Sequence, residues 1–147
     1  MKFLKKLSDQ NAKQQLNLNF SDRDIDVLAV MAEKCLPIVK KGIFSRKTYS
    51  YYVLVDEVNV EIAHDLFADN GINMEYRVYE DNGYVRRLLR VKHDNPYQSA
   101  QIIEIMHKIE KRKHELNREM FFGKGKDKTW WQIQDYIIDL KERKEYT

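Results

Sequence analysis

At 147 residues the chain fits one domain, long enough to bury roughly two-thirds of the surface its unfolded form exposes without a covalent staple. A single cysteine, Cys35, excludes an internal disulfide and directs expectation to the reducing cytoplasm, and no apolar run approaches the ~20 residues of a membrane span. The net charge of +3 hides an uneven spread, +3 over residues 1–20, −5 over 21–85, +6 over 86–128 and −1 over 129–147, so the chain is a charge dipole along its length.

Met1-Lys2-Phe3-Leu4-Lys5-Lys6-Leu7 begins like a secretory leader, but Ser8 to Gln15 is almost wholly polar, which reads against one. Residues 1–20 are expected to be a flexible N-terminal segment. Lysine, asparagine, isoleucine and tyrosine are abundant while proline and alanine are scarce, a bias associated with AT-rich genomes and the small accessory genes of their phages and mobile elements.

A first helix starts at Ser21 as N-cap, with Asp24 three residues on and Phe20 and Ile25 placed as a hydrophobic staple. Asp22, Asp24 and Asp26 suit the positive end of its dipole. Pro37 disfavours a helical Leu36, so this helix is expected to stop there or to kink and continue to Gly42. Cys35 falls in the apolar pattern Ile25, Leu28, Ala32, Cys35, Leu36 and reads as a small buried hydrophobe. Residues 48–55, β-branched and aromatic throughout, read as a strand buried on both faces.

A second helix, about 58–70, carries Ile62, Ala63, Leu66 and Phe67 at helical spacing and ends at Asn70-Gly71, with Ile72 packing back. Next comes a hairpin at residues 74–92. Asn82-Gly83 demands positive φ at both central positions of a two-residue type I′ turn, which pairs Asp81 with Tyr84, Tyr79 with Arg86, Arg77 with Leu88 and Glu75 with Arg90. Those residues share one face of the pleat; Met74, Tyr76, Val78, Val85, Leu89 and Val91 share the other, the expected core.

Asp94-Asn95-Pro96 caps a third helix running to Phe122, about 40 Å long. Its first half is apolar at Ala100, Ile102, Ile103, Met106 and Ile109; its second thins to Leu116 and Met120 and is expected to project into solvent or meet a partner. A basic linker, 123–128, precedes a capping box of Thr129 and Gln132 and a last helix at 129–147 with the stripe Trp130, Ile133, Ile137, Leu140.

The expected fold is therefore α+β: a small mixed three-stranded sheet within a domain at 21–122, with one N-terminal and two C-terminal helices. The β-α-β-β-α order over residues 48–110 resembles a ferredoxin-like sandwich lacking its last strand, a resemblance of element order that implies no function.

Arg77, Tyr79, Tyr84, Arg86, Arg90 and Lys92 fall on the polar hairpin face, to which the first strand adds either Tyr49 and Tyr51 or Tyr52. Aromatic rings interleaved with cations suit unpaired bases and their phosphates. The competing expectation is that a helix covers this face, making Tyr79 and Tyr84 packing residues and Glu75–Arg90 an ordinary cross-strand pair. A second basic group comprises Lys111 and Arg112 on the long helix with Lys124, Lys126 and Lys128 beyond it, though Glu110, Glu115 and Glu119 are spaced for intrahelical ion pairs. Leu116, Met120 and Trp131 are candidate contacts for a protein partner or a second copy, since Trp131 points about 100° away from Trp130 on the same helix.

Catalytic templates fail. Gly123-Lys-Gly-Lys-Asp-Lys lacks the spacing of a phosphate loop and follows a helix where a strand is required. His64, His93, His107 and His114 have no carboxylate or thiol completing a metal set. The pattern points to a non-enzymatic cytoplasmic binding or regulatory module without cofactor, metal or membrane span, contacting an acidic partner, foremost nucleic acid. The alternative is a protein-binding inhibitor or regulator of phage or mobile-element type that acts through its C-terminal helices, as a homodimer or on an acidic protein surface.

Overall fold

The structure, a computed structural model, describes residues 16–41, 47–55, 57–93, 95–122 and 128–145. It is α+β, with the elements α1 (Asp22–Met31), β1 (Ala32–Lys41), β2 (Lys47–Val55), α2 (Val60–Asp69), β3 (Glu75–Asp81), β4 (Tyr84–His93), α3 (Pro96–Phe122) and α4 (Lys128–Glu145). The four strands form one antiparallel sheet in the order β1-β2-β4-β3.

The hairpin follows from its turn. Asn82 and Gly83 have φ of 50° and 84°, and the pairs run from Asp81 with Tyr84 to Glu75 with Arg90 in the register the sequence predicts. α1 starts where Ser21 Oγ accepts from the Asp24 amide at 3.1 Å. α2 ends with the Ile72 amide donating to Phe67 O at 2.8 Å, and Ile72 is buried. Gly71 has two reasons to be glycine: its φ is +95°, and a Cβ there would lie 2.6 Å from the Asn17 carbonyl oxygen. The third helix is capped by Asn95, whose Oδ1 accepts from the amides of Tyr97 (2.9 Å) and Gln98 (3.3 Å).

Several expectations change. The sheet has a fourth strand, because α1 stops at Met31 and Ala32 is already extended (φ −76°, ψ 125°). Pro37 ends no helix; it sits in β1, an edge strand, the one place in a sheet where a missing amide is tolerated. β1 lies antiparallel beside β2, the position the missing last strand of a ferredoxin-like order would take. With β2 and β4 paired directly, the sheet is wholly antiparallel, where a mixed one was expected. Cys35 consequently belongs to this strand rather than to a helical stripe, and it is buried. Thr129 stands inside α4, which begins at Lys128, so the capping box expected there gives way to a helix that starts earlier.

Residues 16–20 are also tied down, where the patterning predicted a flexible segment. Leu16 donates to Gln101 Oε1 at 2.8 Å and accepts from Gln101 Nε2 at 3.0 Å, and Leu16, Leu18 and Phe20 pack against the core. Phe20 meets Phe67 edge to face at 5.9 Å.

The core lies on one side of the sheet. Tyr51, Val53 and Val55 of β2 and Leu89 and Val91 of β4 are buried together with residues from all four helices. Tyr51 donates to Ser99 O at 3.1 Å, which seats the start of α3 on that side, and the Cys35 amide donates to Glu110 Oε1 at 2.9 Å further along. The strand at 48–55 is thus fully buried along one face, whereas on the other Ser50 is buried and Tyr52 and Leu54 are half-buried. α1 is packed between α3 and α4, and Leu116 joins the core that Ile133 and Ile137 of α4 complete.

The register predicts that Leu89→Ala, emptying a fully buried site, lowers unfolding free energy by about 2–5 kcal/mol, whereas Leu88→Ala on the half-exposed face loses less than half as much. Denaturant melts of both variants check this, and equal losses would put the strand one residue out of register.

Candidate nucleic-acid interface

The side of the sheet away from the helices is built from alternate residues of β2, β4 and β3. Tyr52 stands opposite Arg90 and Arg90 opposite Glu75; Leu54 stands opposite Leu88 and Leu88 opposite Arg77; Ser50 stands opposite Lys92. Among the described residues no helix packs on this face. Tyr84 is 74% exposed, Lys92, Arg77 and Glu75 are exposed, and Tyr52, Leu54, Leu88 and Arg90 are half-buried. Of the two tyrosine choices the sequence offered, the structure takes Tyr52; Tyr51 faces the core.

Charge on this face is organised around one carboxylate. Glu75 Oε2 accepts from Arg90 Nη2 at 2.7 Å and from Arg77 Nη2 at 3.3 Å. The hydrogen bond and charge of Arg90 hold the Glu75 carboxyl below its ordinary pKa, with Arg77 adding to the effect. Arg90 is raised in turn by its hydrogen bonds to Glu75 and then Tyr52, so a Glu75–Arg90–Tyr52 row runs across three strands. The cross-strand pair occurs on a face that no helix among the described residues covers, although the sequence posed the two as alternatives. Arg90 therefore serves chiefly to hold Tyr52 and Glu75 in place, leaving Lys92 and Arg77 as the cations that reach solvent among the described side chains.

The structure does not bring all the predicted cations together. Lys111 and Arg112 line a groove of about 240 Å³ between α1 and α3, floored by Phe20, Ile25 and Ile105, on the helix-bearing side of the sheet. They cannot form one strip with Arg90 and Lys92, because the sheet lies between. Arg112 is further committed to structure: its Nε donates to Asp26 Oδ1 at 2.6 Å and its Nη1 to Glu115 Oε2 at 3.3 Å. Burial pulls its pKa down, but the Asp26 and Glu115 partners outweigh that and leave it raised. The side chains of Tyr79, Arg86 and Lys128, and the whole of Lys124 and Lys126, lie outside the described residues.

Of the candidate partner contacts, Leu116 is withdrawn, since it is only 2% exposed; around it the second half of α3 does reach solvent, with His114, Glu115 and Asn117 to Met120 all exposed. Met120 (36%) and Trp131 (55%) do reach the surface, and Trp131 meets Trp130 edge to face at 4.9 Å. Sequence reasoning missed Asp26–Arg112, Asn70 Nδ2 donating to Asp24 Oδ2 at 3.0 Å, and Lys113 Nζ donating to the Glu33 carbonyl. Each joins residues far apart in the chain, and no local spacing signals them.

Burial, reinforced by Glu110, pushes the Cys35 thiol up to about 12, so it is protonated and unreactive as placed. Among the described residues no group of three His, Cys, Asp or Glu side chains is arranged to hold a metal, and no helix is long and apolar enough to cross a membrane. Comparison with protein-family models, with curated proteins and with solved structures finds no match for the chain.

Because the folded pKa of Glu75 is lowered, its contribution to stability is present above the unfolded value near 4.5 and is lost as the pH falls through the folded value. Subtracting the stability of Glu75→Gln from that of the native chain should leave a small difference at neutral pH that fades in acid. A difference that grows on acidification would contradict the arrangement.

Proposed function

We propose that this chain is a non-enzymatic binding module that contacts nucleic acid, single strands foremost, through the face of its sheet opposite the described helices. The observation that carries the reading is the exposed Tyr84 and half-buried Tyr52 on a face that no helix among the described residues covers and that also presents Lys92 and Arg77. Every base offers a ring to stack on a tyrosine, at ~1–3 kcal/mol each, and every phosphate favours a nearby cation. A sheet face rather than a groove also suits strands whose bases are splayed out. The positive balance of residues 86–128, which include most of β4, supplies a favourable long-range field.

A second reading, a protein-binding regulator of the kind mobile elements carry, is favoured by Trp131 and Ile138. These lie two helical turns apart on α4 and are 55% and 49% exposed. Trp131→Ala would then abolish capture of a protein partner while leaving nucleic-acid affinity and melting temperature unchanged.

Fluorescence anisotropy with labelled single- and double-stranded oligonucleotides over a salt series tests the first reading. Tyr84→Ala should weaken single-strand binding by roughly 5- to 150-fold. Arg77→Glu combined with Lys92→Glu should flatten the log–log salt slope by roughly 1.4, two single-strand phosphate contacts. No binding at low salt, or binding indifferent to these changes, overturns it.

A further inference from the structure

The two edges of the sheet differ in kind. β1 carries an irregular step between Ala32 and Lys34, a proline at 37 and lysines at 34, 40 and 41, features that discourage a further strand. β3, Glu75-Tyr-Arg-Val-Tyr-Glu-Asp81, has no proline, glycine or lysine, keeps an unbroken register with β4, and has no strand on its outer side among the described residues. On the helix-bearing side of this edge Val78 is 71% exposed; Tyr76 is 50% exposed, its ring stacked at 4.6 Å on His64. A two-residue hairpin turn aims the backbone groups of alternate residues, Tyr76, Val78 and Glu80, away from β4.

We propose that two copies of this chain pair through β3, antiparallel about a two-fold axis at Arg77, joining their sheets into one. An axis normal to the sheet keeps every side chain on its own face, so only registers centred on a residue are allowed. Centring on Arg77 sets Tyr76 against Val78 of the second copy and Val78 against its Tyr76, which covers the exposed apolar surface of both strands. On the opposite face Arg77 meets its counterpart, but each guanidinium already carries Glu75 at 3.3 Å, placing a carboxylate diagonal to the other copy's cation. Centring on Val78 would instead oppose Glu75 to Asp81, and centring on Tyr76 would set Val78 against Met74, which is already buried. The pairing does not rest on nucleic-acid binding.

The contact is small, so association is weak and concentration-dependent. Sedimentation velocity over a concentration series should show the native chain passing from one copy to two. Val78→Lys and Val78→Pro, the second removing only an outward amide, should each weaken association by roughly tenfold or more while circular dichroism melts stay native. Val58→Lys, at another exposed valine (73%) away from the edge, should associate as the native chain does. A native chain that stays monomeric overturns the proposal. So does a Val78 variant that pairs normally, or an equal loss in Val58→Lys.

Discussion

α1 is the short helix on which the rest of the molecule depends. Val27, Leu28, Ala29 and Met31 are buried, and three of its polar residues each reach a different neighbour. Asp24 accepts from Asn70 at the end of α2, Asp26 accepts from Arg112 of α3, and the Arg23 guanidinium lies 4.2 Å above the Tyr136 ring of α4. Three helices are thereby gathered by ten residues onto one side of the sheet. What is left on the other side is determined by subtraction: with all the described helices taken up on one face, the second face keeps Tyr84, Arg77 and Lys92 at the surface.

This division explains why one set of residue types behaves so differently in neighbouring positions. Tyr51 and Tyr52 are adjacent, yet one spans the core to bond Ser99 and the other leans on Arg90. Arg90 and Arg112 are both half-buried guanidiniums bound to carboxylates, but one organises a surface and the other fastens two helices. Charge count along the chain does not separate them; only the face does.

Much of this was legible in the sequence wherever the cause is local. The Asn-Gly turn, the Ser21 cap and the Gly71 stop each act within a few residues, and the hairpin register with its Glu75–Arg90 pair follows directly from the first. β1 was not legible, because Ala32 to Leu36 continues the apolar spacing of α1 and its extended form is chosen by pairing with β2. The single face for all helices was equally hidden. The alternation in β2 is masked by aromatic and aliphatic residues on both sides, so Tyr52 and Leu54 read as core although they border solvent. Lys111 and Arg112 share the positive stretch 86–128 with the β4 cations, but linear proximity says nothing about which side of a sheet a helix lies on.

Cys35 turns the β1 edge into its own reporter. The Cys35 side chain is buried at the core, and the strand bearing it is joined to α3 through the Cys35 amide and Glu110 and through the Glu33 carbonyl and Lys113. A thiol reagent can reach it only when that edge lifts from the long helix, so the labelling rate of the native chain measures how often this happens. As the chain has a single cysteine, one mass shift reads the opening of one strand without any engineered probe.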